Sequence, residues 1–126
     1  MKDSNDPTPI WYGLNSRLTK EKGKIFEKIW KLNGLYGNAI KEIIYWLEQA
    51  IDVAENDAQK EELGILIDYY RTGDLKTWDD YCVAWTKATE GNIDYINGFI
   101  EVYNDPIGLR GSFENIVQIN DFNLSR

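Results

Sequence analysis

Tyr36-Gly37-Asn38-Ala39-Ile40-Lys41-Glu42-Ile43-Ile44-Tyr45-Trp46-Leu47 opens the stretch whose spacing decides the fold. Followed to Glu55, it sets Ile40, Ile43, Ile44, Leu47, Ala50, Ile51 and Ala54 at steps of three and four. That is the period of a helix with one buried side. Asn56-Asp57 ends this helix and starts a second over about 58–72, with Leu63, Leu66, Ile67 and Tyr70 inward. Thr72-Gly73-Asp74 is the next punctuation: Gly73 suits a left-handed C-terminal position and Asp74 an N-cap. A third helix, about 75–89, carries Leu75, Trp78, Cys82 and Trp85 on one stripe. Connections this short predict antiparallel neighbours.

Upstream, Ser16–Lys20 and Lys24–Leu32 flank Glu21-Lys22-Gly23, a plausible hairpin turn. The second arm puts Phe26, Trp30 and Leu32 on one face and Ile25 and Ile29 on the other, so a short helix fits too; the hairpin is preferred. Residues 1–9, polar and with two prolines, read as a disordered lead-in. Downstream of Glu90-Gly91-Asn92 the period becomes alternating. Ile96, Gly98, Ile100 and Val102 fall on one face of a strand, and Tyr95, Asn97, Phe99, Glu101 and Tyr103 on the other. After the turn Asn104-Asp105-Pro106 and a glycine-bounded loop, Phe113–Ile119 reads as a strand or a short helix. The fold class is therefore α+β, mainly helical, and residues 10–126 form a single domain.

Composition excludes whole classes of function. With no histidine, the chain lacks the commonest general base and metal ligand, so neither a Ser-His-Asp triad nor a His-based zinc site can be built within it. One cysteine, Cys82, allows no internal disulfide. The net charge is 14 − 21 = −7, which argues against nucleic acid and anionic membrane as partners. Residues 1–34 carry seven basic and four acidic groups, so the remainder is strongly acidic and tolerates a cationic ligand, such as a peptide amino end, better. No signal-peptide or transmembrane pattern is present, which leaves the compartment open with a lean toward the cytoplasm.

Most candidate motifs have ordinary explanations. Glu61-Glu62 and Asp79-Asp80 are sequence neighbours that do not face each other on a helix, and they read as solvated faces. Cys82, mid-helix among aromatics, reads as packing. Lys20, Lys22, Lys24 and Lys28 read as protected hairpin edges. The pairs Gly34/Gly37 and Gly108/Gly111 match no phosphate-binding spacing. Glu101 and Tyr103 stand apart. Two residues apart on an extended strand, they project from one face roughly 7 Å from each other. A carboxylate accepts from an ammonium and a phenol bonds a peptide carbonyl, so the pair suits peptide recognition; an incidental exposed acid is the alternative.

Asn97-Gly98-Phe99-Ile100-Glu101-Val102-Tyr103, followed by Asp105-Pro106, Gly108, Arg110-Gly111 and Phe113-Glu114, resembles the dipeptidyl peptidase III family of zinc peptidases. Tyr12-Gly13-Leu14-Asn15-Ser16 and Tyr69 through Asp80 resemble its bacterial branch, so the likeness runs from about Pro9 to Asp121. The resemblance implies a two-lobed enzyme that removes dipeptides from peptide amino ends. It also implies that Glu101 binds the substrate's free amino group and Tyr103 its backbone. The family's zinc helix, His-Glu-x-x-x-His, and its catalytic glutamate have no counterpart here, so the resemblance implies zinc in a parent enzyme and none in this chain. Val102 replaces a small polar residue common in the family and, on the packing face, should disturb neither neighbour. The expectation is a part of the substrate-binding lobe, inactive by itself, whose partners are a peptide with a free amino terminus and the parent's remaining lobes. The alternative is a standalone, non-enzymatic peptide- or protein-binding domain.

Overall fold

The computed structural model describes residues 10–121, 123 and 124; the expected lead-in at 1–9 lies outside them. The order is β1 (Ser16–Glu21), β2 (Lys24–Ile29), α1 (Gly37–Asp52), α2 (Asp57–Thr72), α3 (Leu75–Lys87), β3 (Ile93–Glu101) and β4 (Ser112–Ile119). β1 and β2 form one antiparallel pair and β3 and β4 another. The α+β expectation holds, including the hairpin near the N-terminus, and the segment 113–119 is a strand.

The first turn is tighter than expected. Glu21 already pairs with Lys24, leaving Lys22 and Gly23 as the loop, with φ 49° and 79°. Two successive left-handed residues make the turn whose twist matches paired strands. β2 ends at Ile29, so Leu32 is no part of it; Trp30 instead bridges to Leu35.

Cap chemistry fixes the helix boundaries. Asn56 accepts from the Gln59 amide at 2.9 Å, and the Gln59 side chain accepts from the Glu55 amide at 2.8 Å. Donors that the first turn would leave open are thereby used. Gly73 is left-handed, and Asp74 accepts from Lys76 N at 3.1 Å to begin α3. No side chain other than glycine fits at position 73: an added Cβ would lie 2.5 Å from Ile29 Cγ2.

α2 touches both α1 and α3 and carries the centre of the core. Leu63, Leu66, Ile67 and Tyr70 are buried on it as expected, joined by Ile40, Ile44 and Leu47 from α1. Three buried residues depart from the expected stripes: Tyr69 and Glu62 on α2 and Tyr81 on α3. Trp78, Cys82 and Trp85 are only partly buried against this core.

Candidate functional site

Backbone bonds between distant segments fix where β3 lies. Leu32 N donates to Tyr70 O at 2.8 Å, and Trp30 N to Asn15 O at 2.8 Å. The buried Asn15 side chain donates to Gly73 O at 3.0 Å, and Gly111 N to Leu14 O at 2.7 Å. Tyr12–Ser16, Thr72–Asp74 and Arg110–Gly111, far apart in sequence, thus meet at one point.

The middle of β3 is clamped from both sides. Phe99 packs on Trp30 with ring centroids 4.6 Å apart and edge-on to Tyr70 at 6.3 Å. The Tyr70 hydroxyl donates to Asn97 Oδ1 at 2.5 Å. On the opposite side, a Cβ on Gly98 would come 2.4 Å from Trp78 Cη2, so the indole lies on the bare strand backbone. The expected division into a packing face and an outward face therefore fails: Asn97 and Phe99, assigned outward, are buried. Helices cover both sides because Gly98 lets Trp78 approach where a side chain would stand.

Beyond Phe99 the strand comes free. A register shift between Phe99 and Glu101 lets Glu101 pair with Ser112, whose hydroxyl donates to Glu101 O at 3.1 Å. β3 stops at Glu101, and Tyr103 lies in the turn that follows, closed by Asp105 N donating to Val102 O at 3.0 Å. The expected geometry of two same-face residues on one extended strand is therefore corrected: only Glu101 is on the strand. Both side chains are exposed, and neither has a hydrogen-bond or ion-pair partner among the described residues. Between them Val102 packs against the core, as expected.

The loop beyond is rigidified by Asp105, which accepts from Leu109 N at 3.1 Å, Arg110 N at 3.4 Å and Arg110 Nη2 at 2.8 Å. The Leu109 amide first, then the Arg110 amide and guanidinium, hold its carboxyl below the usual range. Trp11 Nε1 adds a bond to Leu109 O at 3.3 Å. Glu101 and Tyr103 are thus two polar groups without a side-chain partner among the described residues, on a framework fixed at both ends, and a carboxylate and a phenol can meet an ammonium and a backbone carbonyl.

The remaining candidates sort differently. Burial pushes the Cys82 thiol up to about 11, with Asp79 adding to the effect, so it stays protonated and unreactive. Glu62 contradicts the expected solvated face: it is 3% exposed. Burial raises its carboxyl to about 7; the Tyr95 phenol opposes the shift and Asp94 adds to it. Its position was legible, because Glu62 shares the helical phase of Leu66 and Tyr69.

The sequence pattern of Peptidase family M49 matches residues 13–126. The chain belongs to this family. It is 27% identical over 92 residues to "Dipeptidyl peptidase 3" of Rattus norvegicus, an alignment covering 73% of the chain and 12% of that relative. To the Dictyostelium discoideum protein of the same name it is 30% identical over 97 residues, covering 75% and 14%. The solved structure of DPP III from Caldithrix abyssi superposes with a TM-score of 0.76 at 20% identity, over 88% of this chain and 20% of that one. The M49 chain thus spans about an eighth of its curated relatives' length, and its α+β architecture is that of part of the solved enzymes. M49 is a family of zinc metallopeptidases. The residues here do not fit a zinc ion: the sequence has no histidine, and among the described residues no group of three Cys, Asp or Glu is placed to hold a metal.

Proposed function

We propose that this chain is the peptide-holding part of a zinc-dependent dipeptidyl peptidase that releases dipeptides from peptide amino ends. Glu101 accepts from the substrate's terminal ammonium, and Tyr103 hydrogen-bonds its backbone. The metal and the residues that activate water belong to other parts of the enzyme, and this chain alone does not hydrolyse peptides. One observation carries the reading: within the span matched to the peptidase family, Glu101 and Tyr103 are exposed and have no side-chain partner among the described residues, while Val102 between them packs on the core and Asp105 braces the loop beyond.

Charge does the selecting in this arrangement. A terminal ammonium brings three donors and a full positive charge, and a charge-assisted hydrogen bond is roughly twice as strong as a neutral one. The acidic balance of the chain favours approach of that end first. A dipeptide arylamide is expected to stay intact with the isolated chain and added zinc; turnover abolished by a chelator would contradict the reading. A short peptide with a free amino end is expected to bind weakly, and Glu101→Ala to weaken it by roughly tenfold. Unchanged binding in that variant would remove Glu101 from the role.

A further inference from the structure

The two residues assigned to the peptide are supported separately. Glu101 is fixed by β4: it pairs with Ser112, whose hydroxyl bonds its carbonyl. Just before that pair the chain lies directly on the β3 backbone, where a Cβ on Gly111 would come 2.8 Å from the Phe99 carbonyl carbon. Tyr103 lies beyond that support. It is a central residue of the turn closed by Asp105 N and Val102 O, and Asp105 joins that turn to the rest of the loop. Its Oδ2 accepts from the Leu109 and Arg110 amides, its Oδ1 from the Arg110 guanidinium, and its carbonyl from Gly108 N at 2.9 Å. The Asp105 side chain is 7% exposed, although Ile107 and Leu109 on the same loop are 75% and 45% exposed. A carboxylate sheltered on an otherwise open loop, with both oxygens taken, is a brace rather than a ligand for an ammonium.

We propose that Asp105 is a positioning residue for peptide binding, acting through Tyr103: its carboxyl ties the turn 102–105 to residues 109 and 110 and so sets where the Tyr103 hydroxyl meets the peptide. The inference rests on the backbone-bonding role proposed for Tyr103 and extends it to a residue that touches no substrate. Without the carboxyl, three bonds between the turn and residues 109–110 are lost. The exposed Tyr103 then samples more positions before the peptide fixes one, and that ordering cost falls on binding. Glu101 keeps its ties to β4, so the preference for a free amino end survives. Asparagine at position 105 separates the parts of the brace. Its carbonyl oxygen still takes the two amides, whereas its amide nitrogen meets the guanidinium as donor against donor.

Tetra-alanine, free or acetylated at its amino end, is titrated into the 126-residue chain and followed by NMR. Tyr103→Phe is expected to weaken binding of the free peptide roughly fivefold. Asp105→Ala should weaken it by roughly threefold to fivefold, and Asp105→Asn by roughly twofold. Added to Tyr103→Phe, either Asp105 substitution should cost almost nothing further, because both act on one hydrogen bond. The ratio of free to acetylated affinity should stay that of the unaltered chain. The amide spectrum reports whether each variant is folded, and Asp105→Asn decides where Asp105→Ala is not. Unchanged binding in Tyr103→Phe would remove the Tyr103 role and this one together. A loss in Tyr103→Phe with none in the Asp105 variants would overturn the positioning role alone. So would equal Asp105 losses with and without the Tyr103 hydroxyl, or a collapse of the free-to-acetylated ratio, since each marks a general loosening of the fold.

Discussion

β1 and β2 leave Leu18, Ile25 and Phe26 at 73%, 70% and 45% exposure, whereas β3 buries Asn97 and Phe99 to 8% and 6%. Both hairpins are antiparallel pairs with alternating side chains, and pairing alone cannot account for the contrast. What differs is cover. β3 has a glycine that admits an indole to one side and a phenylalanine held by Trp30 and Tyr70 on the other. The first hairpin is tied to the core at its base, through Leu14, Asn15 and Trp30, and its strands stand in solvent. Pairing makes a strand; packing decides whether it can serve as a rigid platform. Of the two hairpins, the second is the one whose strand is packed from both sides.

The largest difference is expected between the two phenylalanines. Phe99→Ala should lower unfolding free energy by about 3–5 kcal/mol, whereas Phe26→Ala should stay below about 1 kcal/mol. Chemical denaturation measures both, and equal losses would undo the contrast. Two glycines give the next test. Gly98→Ala drives a methyl into Trp78 and should cost about 1–3 kcal/mol. Gly23→Ala meets open space, with only its φ of 79° against it, and should cost about 1 kcal/mol.

The smallest effect concerns the far end of β3 and depends on pH. Glu62 has a folded-state carboxyl raised from 4.5 to about 7, so the folded chain holds a proton that the unfolded chain has lost in that interval. Its stability contribution is full below about 4.5 and declines as pH rises toward 7, opposite to an ordinary paired carboxylate. Glu62→Gln should therefore gain about 1–2 kcal/mol relative to the unaltered chain at pH 8 and little at pH 4. Thermal melts across that range check the sign; a gain confined to low pH would reverse the assignment.

Helices were legible because Ile40, Ile44 and Leu47, and Leu63, Leu66 and Tyr70, repeat at one period between Asn, Gly and Asp caps. Glu101 and Tyr103 were singled out by their two-residue spacing and by the motif around them, and the same-strand geometry expected of them did not hold. Alternation said that Phe99 and Glu101 share a face, but it could not register the shift between them or the turn that takes Tyr103 off the strand. Nor could local pattern show that Trp78, twenty residues away, would rest on Gly98. Glu62 was misjudged because acidic residues are rarely buried. For β3, tertiary contacts overrode the local signal; for Glu62, the helical phase shared with Leu66 and Tyr69 was the better guide.

One pair of titrations tests the assignment of Glu101. A short peptide is added to the chain once with its amino end free and once acetylated, and the same pair is repeated with Glu101→Ala. The account predicts that acetylation weakens binding to the unaltered chain by roughly tenfold and makes no difference in the variant. Equal binding of both peptides to the unaltered chain would contradict it.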